Sequence, residues 1–318
     1  MKNVKVSNKR VIAALSTPCV KKKKIPSEWL WAYLFICPMV LGVLIFSVIP
    51  ILYSFFMAFT DWNGMSEATF VGFNNFTYLL NDTKMKHELV NTAIYTLATV
   101  PLTLLLSLGV ANLLNQGLKG TGVFRIIYFL PNVTMPVAVA LVWRWLFNSK
   151  VGLVNLLLKT LALPQPMWLA DPNYILWAMI IVSIWSGIGY NAVILLAGLQ
   201  GIPPSLYEAA DIDGAKSGTK FWKITFPLLT PSLFFLLTMS IMGAIKVFDI
   251  IYTFTGASDT AGGPLLDASR TLVFGIYEKA FSFLKMGLAS AESIILFAII
   301  AVITLLQFVL QKKWVFYD

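Results

Sequence analysis

Six stretches of this chain stay apolar for about the length a helix needs to cross a bilayer, roughly 20 residues for a hydrocarbon core of about 30 Å. They run approximately over 30–59, 89–114, 123–147, 174–199, 228–255 and 288–310. Backbone donors and acceptors inside lipid must be satisfied by the protein itself, so such runs fold as helices or as closed barrels. A barrel strand alternates apolar and polar residues over about ten positions, a pattern these runs lack. The predicted fold class is therefore an all-α polytopic membrane protein with about six transmembrane helices. Composition agrees: 58% of the 318 residues are hydrophobic and only 12% are charged, too little polar surface to cover a soluble domain.

The formal charge of +9 would suit a nucleic-acid partner, but the bases sit next to helix ends on alternate loops, which is the signature of membrane topology instead. One side carries Lys2, Lys5, Lys9, Arg10, Lys21–Lys24, Lys119, Arg125, Lys216, Lys220, Lys223, Lys312 and Lys313. The other carries the smaller set of Lys84, Lys86, Arg144, Lys150, Lys159, Arg270, Lys279 and Lys285. The positive-inside rule then predicts cytoplasmic termini and a cytoplasmic loop around Glu208. Residues 1–28 read as a basic cytoplasmic tail that meets anionic lipid headgroups, 29–313 as the transmembrane domain, and 314–318 as a short cytoplasmic end. The first apolar run is too long for a cleaved signal peptide and is expected to stay in the mature chain. Cys19, Cys37 and a single His make neither a disulfide framework nor a zinc set, so no metal site is expected.

Between the fourth and fifth runs lies a polar, helix-compatible insert, about 203–227. Acids come first, at Glu208, Asp211 and Asp213, and bases last, at Lys216, Lys220 and Lys223, which complements the dipole of a helix starting near Pro204. Gly214 and Gly218 then allow a turn into a second short helix carrying Phe221 and Trp222. Such a helical hairpin either serves as a knob for a partner's groove or simply anchors two spans at the interface. The run Gly214 to Lys220 is no phosphate-binding loop, because its spacing is short by one residue and Thr219 separates Gly218 from Lys220.

Segments 60–88 and 148–173 read as outer loops broken by Gly and Pro, and 256–287 as a break followed by an amphipathic helix, Thr271 to Leu284, lying at the outer interface. Pro38, Pro50, Pro101, Pro131 and Pro136 fall inside the runs; each either kinks a cavity-lining helix or reflects the general tolerance of membrane helices for proline. Ionisable residues inside spans are costly and call for a role. Lys246 and Asp249, three apart, are expected on one helix face, where they line a solute path or pin helices together by neutralising each other. Glu292 has no base within a turn of it, and its role stays open.

The spacing Glu208-Ala209-Ala210, Gly214, Ile224 and Pro227 resembles the coupling loop of the permease subunits of bacterial ABC importers. The texts Leu196-Ala-Gly-Leu-Gln-Gly-Ile-Pro203, Ile212-Asp213-Gly214-Ala215 and Phe248-Asp-Ile-Ile-Tyr-Thr253 with Gly262-Gly263-Pro264 are similar to the sugar-importing, maltose-type branch. Phe226 stands where the pattern has Leu, and Gly256 to Ala261 looks like an insertion before the Gly-Gly-Pro. The resemblance covers most of residues 30–313 and implies a transport subunit of the bacterial cytoplasmic membrane, not an enzyme, with no catalytic residues. It implies a second homologous permease, two cytoplasmic ATPase subunits that bind ATP and Mg, and an extracytoplasmic solute-binding protein as partners, and no cofactor in this chain.

It also implies that Glu208, Ala209, Ala210, Asp213, Gly214, Ile224 and Pro227 couple to the ATPase. A sugar offers hydroxyls and an apolar ring face, so its path should combine amides, hydroxyls and aromatics. Trp185, Tyr190 and Asn191 in the fourth span, with Ser240 and Tyr252 in the fifth, are the candidates; each aromatic also suits plain packing or the lipid interface. The alternatives are an ion-driven secondary transporter using Lys246, Asp249 and Glu292, or an ABC permease for a polyol or glycerol phosphate. A membrane enzyme lacks any His-rich or paired-acid constellation.

Overall fold

A computed structural model describes residues 27–116, 120–255 and 263–316. Most of the basic tail with Cys19, Lys119, and the segment from Gly256 through Gly262 that holds the suspected insertion lie outside the described residues, as do the last two residues. Among the described residues five helices are long and apolar enough to cross a membrane: Trp31–Met57, Thr83–Leu114, Pro172–Gln200, Ser217–Thr255 and Met286–Gln311. A sixth is formed if Thr121–Val133 and Pro136–Leu146, which meet at 98°, count as one broken span. The described residues up to Tyr53 and those from Ser54 onward form two compact units. In the first unit the helix Ser27–Val43 continues through a wider turn at Leu44–Val48 and carries Pro38 without interruption.

In the second unit the second and fourth spans pack along their lengths, and small residues explain how closely elements approach. A Cβ at Gly187 would meet Thr103 Cγ2 at 3.0 Å, and one at Gly189 would lie 1.7 Å from the Tyr128 carbonyl oxygen of the third span. Tyr95 donates to Ser183 Oγ at 2.6 Å and Ser107 to the Ile188 carbonyl at 3.1 Å, so these two hydroxyls are paired across the same seam. One apolar cluster around Tyr95, Met179, Ile251 and Phe274 and another around Leu195, Leu229 and Leu236 fill the two ends of this bundle.

Several expectations need correction. The predicted outer loop 60–88 is mostly structured: Thr60–Asp61 pairs antiparallel with Thr69–Phe70, a helix covers Asn74–Asn81, and the second span starts at Thr83 with Asp82 accepting from the Lys84 amide. The fifth span is broken, its helix ending at Ile245 and resuming at Asp249. Lys246 and Asp249 therefore do not share a helix face and form no ion pair with each other. The amphipathic stretch after Arg270 does not lie on the outer surface. It forms Leu272–Tyr277 and a wider turn at Glu278–Ser282, and buries Leu272, Phe274, Gly275, Glu278 and Lys279.

Candidate functional site

The water-facing loop is built by helix-end chemistry. Pro204 at the first turn of Pro204–Ile212 gives up an amide that would have no helical partner. At the other end Gly214 adopts φ +70, and the Ala215 amide donates to the Ala210 carbonyl at 2.9 Å while the Gly214 amide donates to Asp211 at 3.0 Å. This pair of bonds closes the helix with a left-handed residue, a geometry that suits glycine because it has no Cβ. The second helix begins at Ser217, so Gly218 lies inside it and Gly214 alone makes the turn, a correction to the expected use of both glycines. From there the chain is helical through a wider turn at Phe221–Thr225 into Phe226–Ile245, with Pro227 in its first turn.

The hairpin is tied together by a Lys220–Asp211 ion pair and by a 2.9 Å hydrogen bond between the Tyr207 and Thr225 hydroxyls. Tyr207 and Ile224 pack onto the cluster of Leu199 and Ile202, which seats the loop on the bundle. Glu208, Ala209, Asp213 and Gly214 are exposed, whereas Ala210, Ile224 and Pro227 are half-buried. Beside them Ile212 is 88% exposed and Trp222 65% exposed. Apolar side chains presented to water beside small residues form a surface that another protein can cover.

Two adjoining cavities open in the bundle. The larger, about 460 Å³, is walled by Tyr95, Thr103, Asn132, Tyr190, Asn191 and Ser240 among others. The smaller, about 280 Å³, shares Asn132, Ser183, Gly243 and Val247 with it and adds Lys246 and Asp249. Of the sequence-predicted path residues, Tyr190, Asn191 and Ser240 come together here. Trp185 and Tyr252 do not: Trp185 packs edge-on against Trp143 at 5.4 Å, and Tyr252 stacks with Phe248 at 5.5 Å. Asn191 is 5% exposed and makes no hydrogen bond among the described residues, and Thr103 Oγ1 is likewise unpartnered. An unpaired amide on a cavity wall is a hydrogen-bonding group that a solute can use.

Tyr95, Thr99, Thr103 and Asn132 were missed from the sequence. A signal existed, because Tyr95, Thr99 and Thr103 recur every four residues and so share one face of an otherwise apolar helix.

The third feature is a buried ion cluster. Glu88 in the second span, Arg270, Glu278 and Lys279 in the segment after the fifth, and Glu292 in the last span are all 5% exposed or less. Lys279 Nζ lies 3.1 and 3.2 Å from the two Glu88 oxygens and 2.8 Å from Glu292 Oε2. Arg270 Nη1 is 2.5 Å from Glu278 and 3.5 Å from Glu88. Glu292, which has no base within a turn of its own helix, thus finds one in Lys279, 13 positions upstream in a different element. Burial works against the Lys279 ammonium, but Glu292 and then Glu88 outweigh it and hold its pKa above the ordinary lysine value. A Cβ at Gly275 would lie 2.3 Å from Glu88 Oε1, so the carboxylate occupies the space that glycine leaves.

A helical membrane bundle with an internal polar cavity and a separate helical hairpin offered to water is the architecture of a transport subunit. Residues 103–315 match the family described as the inner membrane component of binding-protein-dependent transport systems, and the chain belongs to that family. It is 37% identical over 303 residues to a probable ABC transporter permease protein, YesP, of Bacillus subtilis, covering 94% of this chain and 96% of that one. It is 34% identical over 294 residues to the multiple sugar-binding transport system permease protein MsmF of Streptococcus mutans, covering 92% and 98%. In fold it is similar to a chain in the crystal structure of a bacterial alginate ABC transporter bound to an alginate pentasaccharide-loaded periplasmic protein, with TM-score 0.77, 23% identity, and 90% and 95% of the two chains covered.

Proposed function

We propose that this chain is the permease subunit of an ATP-driven ABC importer that moves a mono- or oligosaccharide handed over by an extracytoplasmic binding protein. A second, homologous permease completes the pathway. Two cytoplasmic ATPase subunits bind and hydrolyse Mg-ATP, and no bond of the solute is broken. Both termini and the Pro204–Thr225 hairpin face the cytoplasm, where the hairpin docks into the ATPase; closure of the paired ATPases pushes the hairpins together and turns the bundle outward.

The observation that carries this reading is the hairpin itself. Its exposed Glu208, Ala209 and Gly214 lie beside exposed Ile212 and Trp222, and its rear face is fixed to the bundle by Tyr207 and Ile224. The saccharide assignment is supported by the cavity, where hydroxyls, amides and the Tyr190 ring line one wall, and by the relatives named for sugar transport. An ion-driven carrier would use Lys246, Asp249 and Glu292 along one path. Glu292 instead faces Lys279, while the other two line the cavity.

The test replaces Glu208 with Lys and, separately, Gly214 with Val. At φ +70 a side chain costs roughly 1–2 kcal/mol of local backbone strain, which reshapes the hairpin but leaves the spans intact. Both variants are expected in the membrane at wild-type amounts without a copurifying ATPase. Undiminished copurification in both would overturn the assignment.

A further inference from the structure

The two cavities differ in charge. The larger is lined by hydroxyls, amides and apolar groups without an acid or a base other than tyrosine. The smaller, continuous with it through Asn132, Ser183, Gly243 and Val247, holds one cation and one anion, Lys246 and Asp249. Lys246 is where the fifth-span helix stops, with φ −94 and ψ 16, so its side chain leaves the helix at the break and stands in the cavity wall near Asn132, Thr134 and Ser186.

Lys246 is exposed to this space and makes no hydrogen bond or ion pair among the described residues. Asp249 does not neutralise it. Asp249 opens the helix Asp249–Thr255, where unpaired backbone amides already favour a negative side chain. Three other cations of the described residues are engaged: Arg270 and Lys279 by buried carboxylates, and Arg144 by the Thr253 carbonyl at 3.2 Å.

A free ammonium at membrane depth is costly to maintain and serves a ligand or a path. A neutral saccharide needs the hydroxyls and amides of the larger cavity but gives no use to the cation beside it. A saccharide bearing a carboxylate does, because an ammonium-to-carboxylate hydrogen bond is roughly twice as strong as one between neutral groups. We infer that the carried solute is an acidic saccharide, a sugar with a uronate-type carboxylate, and that Lys246 is the residue that selects for that charge. Asn132, Asn191 and Ser240 take the hydroxyls on the adjoining wall. The inference rests on the transport reading given above and narrows its substrate class.

The test uses the assembled importer, both permeases with the ATPases, in lipid nanodiscs. Equilibrium binding is measured for three probes of equal ring number: cellobiose, cellobiuronic acid, which differs only by a carboxylate at the terminal C6, and the methyl ester of that acid. The acid is expected to bind about tenfold tighter than cellobiose or the ester, and Lys246→Gln is expected to erase the difference between acid and ester. Equal binding of acid and cellobiose, absence of acid binding, or an acid preference that survives Lys246→Gln would each overturn the inference. None of these outcomes bears on whether the ATPase copurifies, so a wrong substrate class is distinguishable from a wrong transport assignment. Because Lys246 is exposed and unpaired, its replacement strands no buried partner, and Lys246→Met provides a second neutral variant with the same expected loss.

Discussion

Replacing Lys279 with Met tests how much of the fold depends on the buried ion cluster. Methionine roughly keeps the length of the side chain and deletes the charge. Glu88 and Glu292, both fully buried, then lose the ammonium they share. Arg270 does not replace it, because at 3.5 Å from Glu88 it is already committed to Glu278 at 2.5 Å. Removing one partner of a buried pair costs about 3–5 kcal/mol, since the remaining charge is stranded away from water. The Lys220–Asp211 pair supplies the control: the Asp211 side chain is 64% exposed, so Lys220→Met should cost at most about 1 kcal/mol. At roughly 2 °C per kcal/mol, the melting temperature should fall by about 6–10 °C for Lys279→Met and by no more than about 2 °C for Lys220→Met. Tryptophan fluorescence of the purified protein in detergent reads both transitions. A double variant that also carries Glu88→Gln should recover part of the loss, because one stranded charge is then gone. If the two single variants melt alike, the cluster does not bear the energy ascribed to it.

The same lysine gives a pH dependence. Its folded pKa lies above the ordinary value of 10.5, so its stabilising contribution is complete below that pH and is lost as pH rises through the folded value; the wild-type melting temperature should drop on the alkaline side of 10.5 more steeply than that of Lys279→Met. Gly189→Ala places a methyl group 1.7 Å from the Tyr128 carbonyl oxygen, and since backbone must move to admit it, a loss of about 1–3 kcal/mol is expected, readable as a melting shift several-fold larger than that of Gly243→Ala, where a Cβ meets open space.

How far the sequence disclosed this molecule depends on the range of the interaction. The apolar runs needed only local composition, and five of them appear as spanning helices, the third as a pair bent by 98°. Their breaks were less visible. Pro101 sits within an unbroken helix, whereas the 98° bend falls at Thr134–Met135, just ahead of Pro136, where the residue before a proline is pushed out of the helical region. The gap at Lys246–Phe248 contains no proline at all; Thr271 and Phe274, more than twenty positions on, meet it by a hydrogen bond to Val247 and a ring contact with Phe248. Glu292 looked isolated because its own helix offers no base; its partner Lys279 comes from another element and is shared with Glu88 of the second span. The hairpin was legible because its acids, bases and glycine act within one or two turns. The cavity was only half legible: Tyr190, Asn191 and Ser240 stood out singly, while Tyr95 and Thr103 belong to a stripe whose neighbour across the seam is set by Gly187.

The unbroken helical path from Ser217 to Ile245 joins two places that otherwise have little in common. At 1.5 Å per residue it is a stiff strut of about 43 Å, with one end in the aqueous hairpin and the other at the turn that carries Lys246. Axial displacement of its hairpin end is therefore delivered almost undiminished to the far end, where the helix stops at Lys246. On the proposed function, a partner that shifts Ser217 by a few ångströms would move Lys246, the cation lining the smaller cavity, by a similar amount.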